Sequence, residues 1–210
     1  MTIRFGLLVQ NLDTAVSVAK EEGLDSLWVL DHFLSISHKM SLALPEVTST
    51  ALANLPLVLD RTKCAVGTSV LCPLFRFHPA VIGQYFAQLD RLYPNRVILG
   101  IGAGEACVEA SLLERWPPYK ERRDRLVEAV EITRKLWSSN DFFDYDGRYY
   151  KVRQGFLYLK PHGKIPIVIA ARGRQSAKLA GELGDGIMIT GNPPNEVKSE
   201  ILLAFIEGAK

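Results

Sequence analysis

Cysteine is scarce in this sequence and poorly placed for bonding. The 210 residues hold three, Cys64, Cys72 and Cys107. An odd number without paired short spacings gives no disulfide framework and no metal site, and a reducing compartment fits. Charge bias is missing too: 25 Lys and Arg against 23 Asp and Glu leave a net charge of +2. That is no footprint for nucleic acid or an acidic surface. No apolar run approaches a membrane span of ~18 residues, and no charged segment leads into a short apolar stretch as in a secretory signal. A cytoplasmic protein without membrane or nucleic-acid partners is expected. Internal repeats and low-complexity segments are also absent, so one domain over residues 1–210 is the economical reading.

What is present is an alternation. Short strands rich in Val and Ile are expected at Ile3–Val9, Leu27–Leu30, Lys63–Leu71, Arg96–Gly102, "IPIVIA" (165–170) and "DGIMIT" (185–190). Helices are expected between them. One is capped by Asn11 or Asp13 and stopped by Gly23, and one spans about Thr48–Leu59 after a loop over Ser35–Val47. Others follow His78-Pro79, run amphipathically from Arg122 to Trp137, and occupy "RQSAKLAGELG" (174–184) and "PNEVKSEILLAFIEGA" (194–209). Aromatic runs around Asp146-Gly147 read as a hairpin. The cluster Lys120–Arg125, interrupted by Glu121 and Asp124, reads as a solvated helix face. Apolar strands alternating with helices indicate an α/β fold with a parallel sheet. Periodicity leaves an open doubly wound sheet and a closed (β/α) barrel both standing.

In either architecture the chemistry sits at the C-terminal ends of the strands. Asp31-His32 follows the second strand, "TSVLCP" (68–73) the third, "GIGAGE" (100–105) the fourth, "AARGR" (170–174) the fifth and "TGNPPN" (190–195) the sixth. His32 is either a hydrogen-bonded structural histidine or a general base suited to neutral pH. Asp31 could fix its tautomer, although neighbours on a strand point to opposite faces. Gly100, Gly102 and Gly104 do not fit a dinucleotide fingerprint. They suit a tight exit needing positive φ, or a backbone surface under a flat ring, and Glu105 at their end is a candidate acid. Gly173 before a helix, between Arg172 and Arg174, favours a phosphate over a plain cap. The aromatic hairpin is read as packing.

The segments "VLDHF", "GTSVLCPLFRFHPAVIGQYFAQLDRLYPNRVILGIGAGEA", "WPPYKERRDRLVEAVEITRKLW", "DGRYYKV", "IPIVIAARG" and "AGELGDG" resemble, in order, the luciferase-like oxidoreductases. The similarity is strongest to their deazaflavin-dependent branch. The resemblance implies a (β/α)8 TIM barrel, with about six βα units in this chain. It also implies coenzyme F420 and hydride transfer to or from an alcohol or related small molecule, in a homodimer. By that resemblance His32 is the base that takes the alcohol proton and Glu105 the active-site glutamate preceded by Gly104. Asp31 lies against the cofactor ring, Ser69-Val70 forms a non-proline cis peptide behind it, Ala170, Ala171, Arg172 and Gly173 bind the phosphate, and Thr190 lies near the cofactor tail or substrate. No metal is implied.

The pattern also departs from the family. Ile36 stands where relatives carry tryptophan, Val108 where they carry asparagine, and Asn192 where the sugar-phosphate enzymes use lysine. A sugar phosphate is therefore a poorer expectation than a simple alcohol. Six units fall short of a barrel of about 250 residues, so a C-terminally incomplete barrel is expected. Two further readings stand beside the F420 enzyme: an FMN-dependent luciferase-like monooxygenase, and a shortened cofactor-binding or scaffold protein without turnover.

Overall fold

In the computed structural model, residues 6–22, 24–34, 42 and 48–210 are described, with the side chains of 20–22 left aside. The expected start of the first strand at Ile3, the helix stop at Gly23, Ile36 and nearly all of the loop over 35–47 lie outside these residues.

Six strands form one sheet: β1 (Gly6–Val9), β2 (Ser26–Val29), β3 (Ala65–Thr68), β4 (Val97–Ile101), β7 (Ile167–Ala170) and β8 (Gly186–Met188). Every pairing among them is parallel, and the order β1-β2-β3-β4-β7-β8 follows the chain without reversal. A doubly wound sheet reverses its order at a switch point. This sheet has none, and so has the winding of a (β/α) barrel, of which it forms part. The strands β5 (Phe143–Asp146) and β6 (Lys151–Gly155) form a separate antiparallel hairpin, as the aromatic runs around Asp146-Gly147 indicated.

Helices α1 (Leu12–Glu22), α2 (Ala51–Arg61), α3 (Pro79–Leu92), α4 (Ala106–Glu109), α5 (Tyr119–Ser138) and α6 (Arg174–Leu183) intervene. Asn11, not Asp13, caps α1: its Oδ1 accepts the Thr14 N–H at 3.0 Å. Pro79 opens α3, where the His78 ring accepts the Ala80 N–H. Helix α2 begins three residues later than its own sequence suggests, because its first amide is capped from far away: Ala51 N–H donates to Asp31 Oδ1 at 2.9 Å. The last helix is not continuous. A short α7 (Pro194–Glu196) leads through a π-helical turn, Val197–Ile201, into α8 (Leu202–Gly208).

The core lies between sheet and helices. Leu27, Val29, Val66, Leu99 and Ile167 from the strands meet Leu55, Val58, Phe86 and Ile132 from the helices, all buried. Truncating the fully buried Phe86 to alanine would cost about 3–5 kcal/mol. Helices α6 and α8 approach backbone to backbone. A β-carbon on Gly181 would lie 2.1 Å from the Phe205 carbonyl oxygen, and one on Gly208 2.0 Å from that of Lys178. Among the described residues no helix is long and apolar enough to cross a membrane.

Candidate active site

The C-terminal ends of the strands enclose a cavity of about 340 Å³. Asp31, His32, Ser69, Val70, Gly104, Glu105, Ala170, Ala171, Arg172 and Thr190 all line it. Gly173 does not. It sits just outside as the N-cap of α6. Loops after five strands thus deliver the residues singled out in the sequence to one place.

Each wall has its own local cause. Strand β3 stops at Thr68, short of the expected Leu71, and the Ser69-Val70 peptide that follows is cis. The chain then returns to β4: Leu71 N–H donates to the Gly100 carbonyl at 2.9 Å and Gly102 N–H to the Leu71 carbonyl at 3.0 Å. The glycine run divides its work. Gly104 alone of the three has positive φ, +78°. At Gly102 a β-carbon would stand 2.9 Å from Val70 Cγ2, so that glycine lets the two loops close on each other.

His32 is half-buried, its amide donating to the Ser49 carbonyl at 3.3 Å. Asp31 lines the same cavity, but its carboxylate is turned to partners within the protein. Its side chain is fully buried and pairs with Arg76. Oδ1 also accepts from Thr50 Oγ1 at 3.2 Å. The carboxylate is therefore committed to the start of α2 and to Arg76.

Several residues of the site were not legible as such. Arg76 bridges two carboxylates: besides Asp31, its Nε donates to Glu109 Oε1 at 3.1 Å. Glu109 is buried and lines the cavity, and its Oε2 has no hydrogen-bond partner. Burial pushes its carboxyl above the ordinary value, against the opposing pull of Cys72 and Arg76. Cys72, also buried in the wall, has its thiol held well above the ordinary range by burial and by Glu109. Glu105, by contrast, is exposed at the start of α4. Tyr119 enters the cavity from the start of α5, its hydroxyl pushed upward by burial and in reach of Ser176.

The Lys120–Arg125 segment is not simply a solvated face. Arg122 turns inward and donates to the carbonyls of Ala103 at 3.1 Å and Gly104 at 2.8 Å, packing on Trp116. Arg125 stacks over Tyr149, tying the hairpin to α5. No spacing rule announces these contacts. The one available signal was the excess of arginine over lysine in a segment that follows Trp116 and Tyr119, since guanidinium stacks on aromatic faces.

At the rim, Ser176 Oγ accepts the amides of Arg172 and Gly173, both at 3.2 Å. Arg172 is exposed, whereas Arg174 pairs with Glu207 at 3.2 Å. Asn192 donates to the Arg172 carbonyl at 3.1 Å and to Glu196 Oε1 at 2.9 Å.

Residues 9–209 match the family model described as luciferase-like monooxygenase. The chain is 44% identical over 195 residues to an F420-dependent glucose-6-phosphate dehydrogenase of Amycolatopsis mediterranei, covering 91% of this chain and 57% of that protein. Its similarity to the enzyme of the same name from Mycobacterium leprae is also 44% over 195 residues, covering 91% and 56%. The chain thus spans little more than half the length of these relatives. Among solved structures, an F420-dependent secondary alcohol dehydrogenase in complex with an F420-acetone adduct superposes with a TM-score of 0.92 at 34% identity, over 100% of this chain and 64% of that one. The coenzyme F420 dependent tetrahydromethanopterin reductase from Methanopyrus kandleri, at 20% identity and a TM-score of 0.80 over 100% of this chain and 61% of that one, shares the fold.

Proposed function

The chain belongs to the luciferase-like monooxygenase family, and on that premise we propose that it is an F420-dependent oxidoreductase moving a hydride between the deazaflavin and an alcohol or related small substrate. The observation that carries this reading is the convergence of His32, Glu105, the cis Ser69-Val70 peptide and the Ala170–Arg172 segment on one cavity. The names of the similar proteins, F420-dependent dehydrogenases of sugar phosphates and secondary alcohols, support the same cofactor.

The residues present fit such a group. Val70, Ala103, Ala170 and Met188 give the cavity an apolar lining suited to a ring. The start of α6 is open: a β-carbon on Gly173 would meet nothing within 4 Å. A phosphate there would face the Arg172 and Gly173 amides that Ser176 Oγ now accepts, with the exposed Arg172 side chain beside it. Thr190 lies on the same rim.

When bound, the deazaflavin supplies the ring carbon that accepts or returns the hydride. The protein's part is orientation and proton handling. His32 takes the proton from the substrate hydroxyl as the hydride leaves, and returns it in reduction. Asp31, fixed by Arg76, Thr50 and Ala51, holds the segment that presents His32. Glu105 offers a carboxyl at the same cavity. Asn192 is tied to Arg172 and Glu196 and offers no cation where the sugar-phosphate enzymes place lysine. An uncharged alcohol is therefore the favoured substrate class over a sugar phosphate.

Titration of the purified protein with coenzyme F420, followed by fluorescence, and in parallel with FMN, tests the cofactor. Tight uptake of F420 alone is expected. Uptake of FMN alone would move the protein to the monooxygenase reading, and uptake of neither would sink both. Assays with secondary alcohols against glucose 6-phosphate then test the substrate class.

A further inference from the structure

Two buried carboxylates share one guanidinium at the back of the cavity, and they are not equally satisfied. Asp31 accepts hydrogen bonds from Ala51 N–H and Thr50 Oγ1 and pairs with Arg76. Glu109 receives Arg76 on Oε1 only, through Nε at 3.1 Å and an NH2 nitrogen at 3.0 Å. Its other oxygen, Oε2, is buried with no well-aligned partner and only the Cys72 thiol, a weak donor, beside it, in a residue 2% exposed. That oxygen stands beside Gly104 at the cavity wall. A β-carbon built on Gly104 would be 3.5 Å from Glu109 Oε2 and 2.7 Å from Cys72 Sγ, and all three residues line the cavity.

Ionised, this cluster would hold two negative charges against one positive, with one oxygen stripped of water and offered no strong donor. Such an arrangement is expensive. A proton on Oε2 removes the excess charge and turns the orphaned acceptor into a donor at the cavity wall. The charged or titratable groups around it are Asp31, Arg76 and Cys72, with Glu105 one turn earlier on the same segment. None of these offers a better resting place: Asp31 is fully engaged as an acceptor, and the Cys72 thiol is already neutral. A buried acid kept neutral so that it can donate is an established device of active sites.

We propose that Glu109 carries its proton on Oε2 and donates it, as a hydrogen bond, to an acceptor atom (a carbonyl oxygen or ring nitrogen) of the molecule bound in the cavity. For the identity of that molecule the proposal rests on the F420 reading above. The location of the proton does not depend on it.

The test is an infrared difference spectrum of the intact protein near neutral pH, with and without coenzyme F420, using isotope-labelled glutamate to assign the bands. A protonated glutamic acid band is expected in the free protein. It should shift when F420 binds and vanish in Glu109→Gln. Absence of the band, or a band that stays unmoved while F420 is bound, would overturn the proposal. Failure of F420 to bind would instead strike the cofactor reading, and the band in the free protein would still decide where the proton sits. Affinity gives a second readout. Glu109→Gln keeps a donor and should bind F420 within about threefold of the unaltered protein, whereas Glu109→Ala should lose about tenfold. Equal losses in the two variants would count against donation.

Discussion

Arg122 donates a 2.8 Å hydrogen bond to the carbonyl of Gly104, joining the long helix α5 to the one glycine of the site loop with positive φ. The same nitrogen reaches Ala103, and the guanidinium lies 4.8 Å from the Trp116 ring centroid. A helix residue thus sets the height of the cavity wall that ends in Glu105.

Replacement of Arg122 by alanine should therefore loosen both stability and site. Hydrogen bonds to a charged donor contribute about 1.5–3 kcal/mol, and loss of this pair should lower the urea midpoint accordingly and weaken F420 binding. Arg122→Lys keeps the charge without the fork and should recover only part of the loss. Full stability in Arg122→Ala would remove the residue from this role.

His32→Ala should leave cofactor binding intact and cut turnover by ~100-fold or more, the usual scale for a lost general base. Cofactor titration and steady-state kinetics at saturating F420 separate the two effects. Unchanged turnover would mean another group takes the proton.

Gly104→Ala meets two obstacles at once. The backbone sits at φ +78°, and the new methyl would lie 2.7 Å from Cys72 Sγ. The left-handed conformation alone costs a non-glycine residue about 1–2 kcal/mol, so a fall in stability beyond that range would measure the contact with Cys72. Pairing the change with Cys72→Ala in a double-mutant cycle should recover the contact share and leave the backbone share.

Asp185 links β7 to the turn before β8: its Oδ2 accepts the Ile167 N–H at 3.0 Å, and its amide donates to the Ile167 carbonyl at 2.7 Å. Burial alone would raise its carboxyl, but the Lys164 ammonium, the Ile167 amide and Arg134 outweigh burial and hold it below the ordinary range. A depressed acid binds its proton more readily when unfolded. Its stabilisation is thus present above the unfolded pKa and is lost as pH falls through the folded one. Thermal melts on the acid side should lose this slope in Asp185→Asn, and an unchanged slope would exclude the linkage.

The βα alternation was legible in the sequence because Leu27, Val29, Val66, Leu99 and Ile167 sit in short apolar strands, a local property. The choice between barrel and open sheet was not, since it depends on which strand lies beside β4, and Leu99 finds Ile167 across the whole of α5 and the hairpin. His32, Glu105 and Arg172 could be named because they follow strand ends. Arg76, Glu109 and Arg122 could not, because their partners lie 45, 33 and 18 positions away. Asp31 was seen, but as a neighbour of His32. Its actual partner, Arg76, lies on the loop beyond β3.

The glycine contacts between α6 and α8 bear on how the start of α6 is held. With Gly181 against the Phe205 carbonyl and Gly208 against that of Lys178, the two helices touch backbone to backbone at these points, and only small side chains such as Ala177 and Ala204 pack beside them. A side chain at either glycine would force the pair apart, and Gly173 caps the start of α6. Any displacement of that start which keeps the backbone contacts has to carry α8 with it, and α8 joins the preceding chain through the π-helical turn at Val197–Ile201.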